Sequence, residues 1–294
     1  LYVQNLRNLE VIQLTQDGCS NIINGSFDWV YEEEFRLSKG FRWSPDGNSI
    51  AYWQLNTEGV REFNLINNTD SLYPKLKPIK YPKAGDQNSA CHLGVVGSGG
   101  GVTKWLQVQG DPRNHYLAGM DWIEHPQEVI FQQLNRLQNS VKVMLGNPMT
   151  GESKKIHADS DDAWLDVRSE LEWMGKNERL LWLSEKDGWR RINLVTRSGE
   201  KATGITPAGF DVIDIKGVDN QNDYIYFMAS PDDPKRRYLY RIKGDGSEMA
   251  RVTPGNALGM NSYNISPDCS LAVHTFSTFD TPPLIALIKL PSHE

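Results

Sequence analysis

The stretch Arg42–Asn56, RWSPDGNSIAYWQLN, reads as one strand, a tight turn and a second strand. Trp43 stands just before the turn triplet Pro45-Asp46-Gly47, and the β-rich run Ser49–Leu55 (SIAYWQL) follows it. Proline presets φ for a turn and glycine accepts positive φ, so the chain reverses there and pairs with itself. The same grammar recurs along the chain. Glu128–Gln133 (EVIFQQ) follows His125-Pro126, and Arg179–Ser184 (RLLWLS) follows Gly175-Lys176-Asn177. Tyr224–Ala229 (YIYFMA) follows Asp219-Asn220, and Leu271–Phe276 (LAVHTF) follows Pro267-Asp268. Strong amphipathic helix patterns are scarce.

The apolar residues before these turns are Trp43, Trp122, Trp173, Val218 and Ile265, spaced by 79, 51, 45 and 47 residues. The last three spacings suit a four-stranded propeller blade of roughly 40–50 residues. The first is longer and predicts an insertion around Gly59–Gly85. Polar hairpin turns close many units, at Thr150-Gly151-Glu152, Ser198-Gly199-Glu200 and Asp245-Gly246-Ser247. Units of this kind cannot bury their faces alone and must stack on one another. The expected fold is therefore all-β, an incomplete β-propeller of four-stranded blades with about five or six blade units, rather than a sandwich with accidental periodicity. The chain opens on LYVQNL, itself strand-like, so residues 1–294 are expected to be a propeller truncated at its amino end.

Composition bounds the function. The chain has 294 residues, 39% hydrophobic and 23% charged, as a globular protein with a core requires. A net charge of −6 argues against nucleic acid as a partner. Cys19, Cys91 and Cys269 are odd in number and far apart, so no disulfide framework is read, and no CxxC pair suggests zinc. Gly97-Ser98-Gly99-Gly100-Gly101 has Val96 where a nucleophile elbow needs glycine, and no Gly-Lys-Ser/Thr follows for a phosphate loop. It is expected to be a hairpin loop. Asp159, Asp161 and Glu170 take positions 1, 3 and 12 of a calcium-loop pattern, but Trp164 occupies the place of the required glycine. Neither metal nor cofactor is expected. The six histidines form no HExxH pattern and are taken as structural or surface residues. Sequons at Asn24, Asn67 and Asn264 decide nothing about compartment.

Five segments resemble, in order, the propeller of the dipeptidyl peptidase IV family. They are Asp28–Glu34 (DWVYEEE), Arg42–Asn56, Tyr81–Ser89 (YPKAGDQNS), Leu134–Asn139 (LNRLQN) and Ser184–Leu194 (SEKDGWRRINL). The pairing of DWVYEEE with YPKAG is the specific part. The resemblance implies that Glu33 and Glu34, on a short helix, hold the free amino terminus of a peptide substrate, with Glu32 preceding the pair. It places Ala163–Leu171 (AWLDVRSEL) near the substrate cavity, where Arg168 is a weaker candidate for the substrate carbonyl; the family's Phe-Arg pair is missing there. It further implies a serine-type peptidase releasing Xaa-Pro or Xaa-Ala dipeptides, whose Ser, Asp and His lie in an α/β-hydrolase domain beginning after Glu294. The full-length protein is then expected to homodimerise, and a periplasmic, secreted or membrane-anchored location is favoured. The alternative is a non-catalytic propeller for protein partners, or an inactive peptidase homologue.

The residues give the double glutamate an independent physical sense. An α-ammonium has a pKa of roughly 7.7–8.0 and is largely charged at neutral pH. In a cavity it needs carboxylate or carbonyl acceptors, and each charge-assisted bond contributes about 1.5–3 kcal/mol. Adjacent carboxylates repel one another, and a bound cation relieves that repulsion. At a fixed distance from a nucleophile, such a pair would also measure off a dipeptide.

Overall fold

A computed structural model describes residues 1–123, 127–166 and 171–294. The chain divides into two compact units, Leu1–Glu170 and Leu171–Glu294. Among the described residues it is nearly all-β, with one seven-residue α-helix, Trp29–Phe35.

In the first unit, Tyr2–Gln4 pairs with Val11–Gln13 as an opening hairpin. The next sheet runs Ile22–Asn24, Ser49–Asn56, Ala90–Gly97, Lys104–Trp105, and Phe41–Trp43 also pairs with Ser49–Asn56. Ile22–Asn24 takes the far end of Ser49–Asn56 and Phe41–Trp43 the near end, so together they occupy one strand position. The chain leaves the sheet between them and returns. Gly25 N–H donates to the Trp53 carbonyl at 2.9 Å, and Trp53 N–H donates to the Gly40 carbonyl at 3.0 Å. The helix sits in this excursion. His115–Ile123, Glu128–Asn135, Ser140–Gly146 and Ser153–Ser160 form the second full sheet of the unit, an antiparallel meander. The expected insertion is a hairpin, Glu62–Asn67 with Lys75–Lys80, largely exposed.

The neck of the excursion explains a glycine. A Cβ at Gly40 would lie 2.6 Å from the Gly25 carbonyl carbon and from Ser26 N, both backbone atoms that cannot step aside cheaply. Gly40→Ala is expected to cost about 1–3 kcal/mol by forcing the neck apart. Chemical denaturation checks this; an unchanged midpoint would mean the neck is loose.

In the second unit, Trp173–Met174, Arg179–Ser184, Arg191–Thr196 and Ala202–Gly204 form one meander, and Val212–Asp219, Tyr224–Ala229, Tyr238–Lys243 and Ala250–Arg251 form the next. Met260–Ile265, Leu271–Ser277 and Leu284–Lys289 make a three-stranded sheet. Each apolar run noted in the sequence is a second strand. Tyr224–Ala229 is buried at every position, on both faces. Such a strand reads as a continuous apolar run because it is covered on both sides, and burying a side chain such as Phe227 contributes about 1.5–3 kcal/mol. One apolar cluster joins the first two sheets of this unit, through Leu181, Ile192, Ile225 and Phe227. A second joins Tyr226 and Leu239 to Tyr263 and Ala272 of the last sheet. Sheets of consecutive antiparallel strands, stacked face to face through apolar clusters, are the blades of a β-propeller.

His274 packs inside the last sheet. Its ring stacks on Tyr263 at 4.5 Å, its Nε2 donates to Asn261 Oδ1 at 2.8 Å, and His293 lies edge-on at 4.8 Å. Burial, with the neighbouring His293, pushes its pKa down to about 4. The native state thus prefers the neutral ring, while the unfolded chain protonates near 6.5. The stabilisation is complete above pH 6.5 and is lost as pH falls towards 4. Melting temperature is expected to fall across that window, and the fall should shrink in His274→Phe. An unaltered pH slope in that variant would assign the acid sensitivity elsewhere.

Candidate amino-terminus anchor

Local chemistry dictates the helix and its orientation. Asp28 is its N-cap, with extended backbone and Oδ1 accepting the Tyr31 N–H at 3.1 Å. Its other oxygen, Oδ2, accepts from Ser89 Oγ at 2.5 Å, so a buried carboxylate is bonded on both sides. The helix ends where Arg36 adopts φ 54°, and Leu37 N–H returns to the Tyr31 carbonyl at 3.2 Å.

Tyr31 fastens the helix to the unit's core. It is 2% exposed, stacks on Phe27 at 5.6 Å with rings 12° apart, and meets Tyr116 edge-on. Its hydroxyl accepts the Leu117 N–H at 3.0 Å. Phe27 in turn abuts Trp53, whose indole donates to the Leu117 carbonyl at 2.9 Å. Phe35, one turn after Tyr31, packs on Tyr116 at 5.1 Å. With Tyr31 and Phe35 facing inward, helical geometry turns Glu33 directly away from the core and leaves Glu32 and Glu34 on the two flanks. Glu32, Glu33 and Glu34 are all exposed. Burial drives the Tyr31 phenol well above its usual pKa and the Cys91 thiol up to about 12. Both stay neutral, so Cys91 beneath the helix is a packing residue rather than a nucleophile.

The helix gathers three of the quoted segments. Trp29 lies 4.1 Å, centroid to centroid, from Tyr81, and Asp28 bonds Ser89, so both ends of YPKAGDQNS touch DWVYEEE. From LNRLQN, Gln138 Nε2 donates to Glu34 Oε1 at 2.8 Å. Arg136 of the same turn donates to the Asp86 carbonyl. The sequence points to Glu33 and Glu34 but carries no signal for Gln138 or the Asp28–Ser89 bond beyond the occurrence of these stretches together.

Arg168 and Glu170 lie outside the described residues, as does the turn at His125-Pro126. Asp161 is engaged in a local turn, its Oδ1 accepting the Ala163 N–H at 2.7 Å. The glycine-rich stretch is the expected hairpin loop, joining Ala90–Gly97 to Lys104–Trp105, with Gly100 N–H on the Gly97 carbonyl.

An all-β propeller with an acidic helix inserted at a split strand is the class that fold and site define. Residues 1–283 match the dipeptidyl peptidase IV (DPP IV) N-terminal region, and the chain belongs to that family. It is 28% identical over 261 residues to dipeptidyl peptidase 4 of Trichophyton rubrum, covering 85% of this chain and 33% of the relative. The T. tonsurans dipeptidyl peptidase 4 gives the same identity and coverage. The crystal structure of Porphyromonas gingivalis dipeptidyl peptidase 4 superposes with a TM-score of 0.90 at 27% identity, covering all of this chain and 41% of that one. The chain thus spans about a third of the length of the Trichophyton relatives.

Proposed function

We propose that this chain is the substrate-selecting propeller of a serine dipeptidyl peptidase, and that Glu33 and Glu34 bind the free amino terminus of the peptide. Membership of the family supports a peptidase. The single observation that carries the anchor is the presentation of two adjacent carboxylates on a short helix locked from below. Asp28, Tyr31 and Phe35 fix the helix, so the carboxylates hold their place when a cation arrives.

In the proposed reaction the substrate's ammonium donates to both carboxylates. Each bond is charge-assisted, and together they set the peptide's register. The second peptide bond then meets a serine in a C-terminal α/β-hydrolase domain, which supplies the acyl-transfer chemistry. The propeller orients the substrate and moves no proton itself. Binding energy gained at the amino terminus contributes to holding the scissile bond in place. Xaa-Pro and Xaa-Ala dipeptides are the proposed products. No metal or cofactor takes part in this scheme.

The test is hydrolysis of an Xaa-Pro chromogenic substrate by the full-length protein, beside the same substrate extended by one residue at its amino end. Release of the chromophore from the dipeptide substrate alone is expected. Equal rates on both would point to an oligopeptidase-type enzyme, and inactivity on both would favour a binding propeller.

A further inference from the structure

We propose that Gln138 is a positioning residue for the anchor: it fixes the carboxylate of Glu34 so that one oxygen faces the incoming ammonium. The proposal rests on the anchor reading of Glu34. Its own basis is the turn in which Gln138 sits, between Glu128–Asn135 and Ser140–Gly146.

That turn is braced throughout. Gln138 N–H donates to the Asn135 carbonyl at 2.9 Å, and the Gln138 carbonyl accepts from Leu165 N–H at 2.8 Å. Asn135 Oδ1 accepts from both Asn139 N and Ser140 N at 3.0 Å, and its Nδ2 donates to Asn139 Oδ1 at 2.8 Å. Arg136 ties the turn to the Asp86 carbonyl. At the end of the turn Gln138 has φ 55°, in the left-handed region that a glycine would occupy at no steric cost. Its side-chain amide reaches Glu34 across 104 residues of sequence.

The chemistry of the pair suits orientation rather than neutralisation. A carboxylate only accepts, so the glutamine must present its NH2 group, leaving its own carbonyl turned away. The donor is uncharged. It occupies one oxygen of Glu34 and restricts the side chain's rotation while leaving the full negative charge for the ammonium. A lysine or arginine there would also orient Glu34 but would compete electrostatically with the substrate.

The experiment compares Gln138→Gly, Gln138→Asn and Glu34→Gln in the full-length enzyme on an Xaa-Pro substrate. Glycine relieves the backbone and removes the amide; asparagine also tolerates the left-handed region, but its amide is one methylene too short. Both are expected to lower kcat/KM by about tenfold, the equivalent of one hydrogen bond to a charged group. The loss should fall mainly on KM, with kcat at saturation near the parent value and no lower melting temperature. Parent-like kinetics in both, with Glu34→Gln impaired, would overturn the positioning role and leave the anchor standing. Parent-like kinetics in all three would overturn both. A loss in the Gln138 variants shared equally by kcat and KM, with a lowered melting temperature, would mark Gln138 as a structural turn residue and overturn the proposal.

Discussion

Glu34→Gln in the full-length enzyme is expected to lower kcat/KM for an Xaa-Pro substrate by about tenfold or more, equivalent to about 1.5–3 kcal/mol of lost charge-assisted bonding. The substitution preserves shape and removes the charge. Glu34 is exposed, and the helix is held by Asp28, Tyr31 and Phe35 rather than by Glu34, so the fold should be unaffected. The amide can still accept from Gln138, which separates the electrostatic role from the positional one. In the proposed complex the ammonium is held in ground and transition states alike, so the change should appear chiefly as a raised KM. Steady-state kinetics checks this directly, and an unaltered specificity constant would remove Glu34 from the anchor.

The second large effect is on stability. Tyr31→Ala is expected to cost about 3–5 kcal/mol, the range for emptying a buried aromatic site. Tyr31 is 2% exposed, packs between Phe27 and Tyr116, and caps the Leu117 N–H. The cavity and the orphaned N–H act together, because removing the ring removes the acceptor as well. Tyr31→Phe separates the two. It keeps the ring and is expected to lose only about 1–3 kcal/mol, the cost of an unsatisfied buried donor. Denaturant midpoints of both variants give the comparison. Equal losses would show that the hydroxyl, not the ring, secures the helix.

The propeller was legible because its signals are local. A turn signal beside an apolar run marks the turn into the second strand at Pro45-Asp46-Gly47, Gly175-Lys176-Asn177, Asp219-Asn220 and Pro267-Asp268, and Trp43, Trp122, Trp173, Val218 and Ile265 all fall on or near the ends of first strands. The insertion between Gly59 and Gly85 announced itself by stretching one spacing. The helix was legible only through resemblance. Its seven residues are too few for a periodic pattern, and its stability comes from Asp28 and Tyr31 reaching partners far along the chain. The split strand was hidden for the same reason: Ile22–Asn24 and Phe41–Trp43 share one strand position only because Gly25 and Gly40 meet in space. Gln138 illustrates the limit most sharply. Nothing in LNRLQN distinguishes a polar turn residue from one that touches Glu34, since the contact spans 104 residues.

The central claim is that Glu33 and Glu34 recognise a free amino terminus. Its most direct test is the ratio of kcat/KM for a free Xaa-Pro substrate to that for its amino-acetylated counterpart, in the parent enzyme and in the Glu33→Gln/Glu34→Gln double variant. A large ratio is expected in the parent and its collapse in the variant, through loss of activity on the free substrate. A ratio that survives the double substitution would contradict it and place amino-terminal recognition elsewhere in the protein.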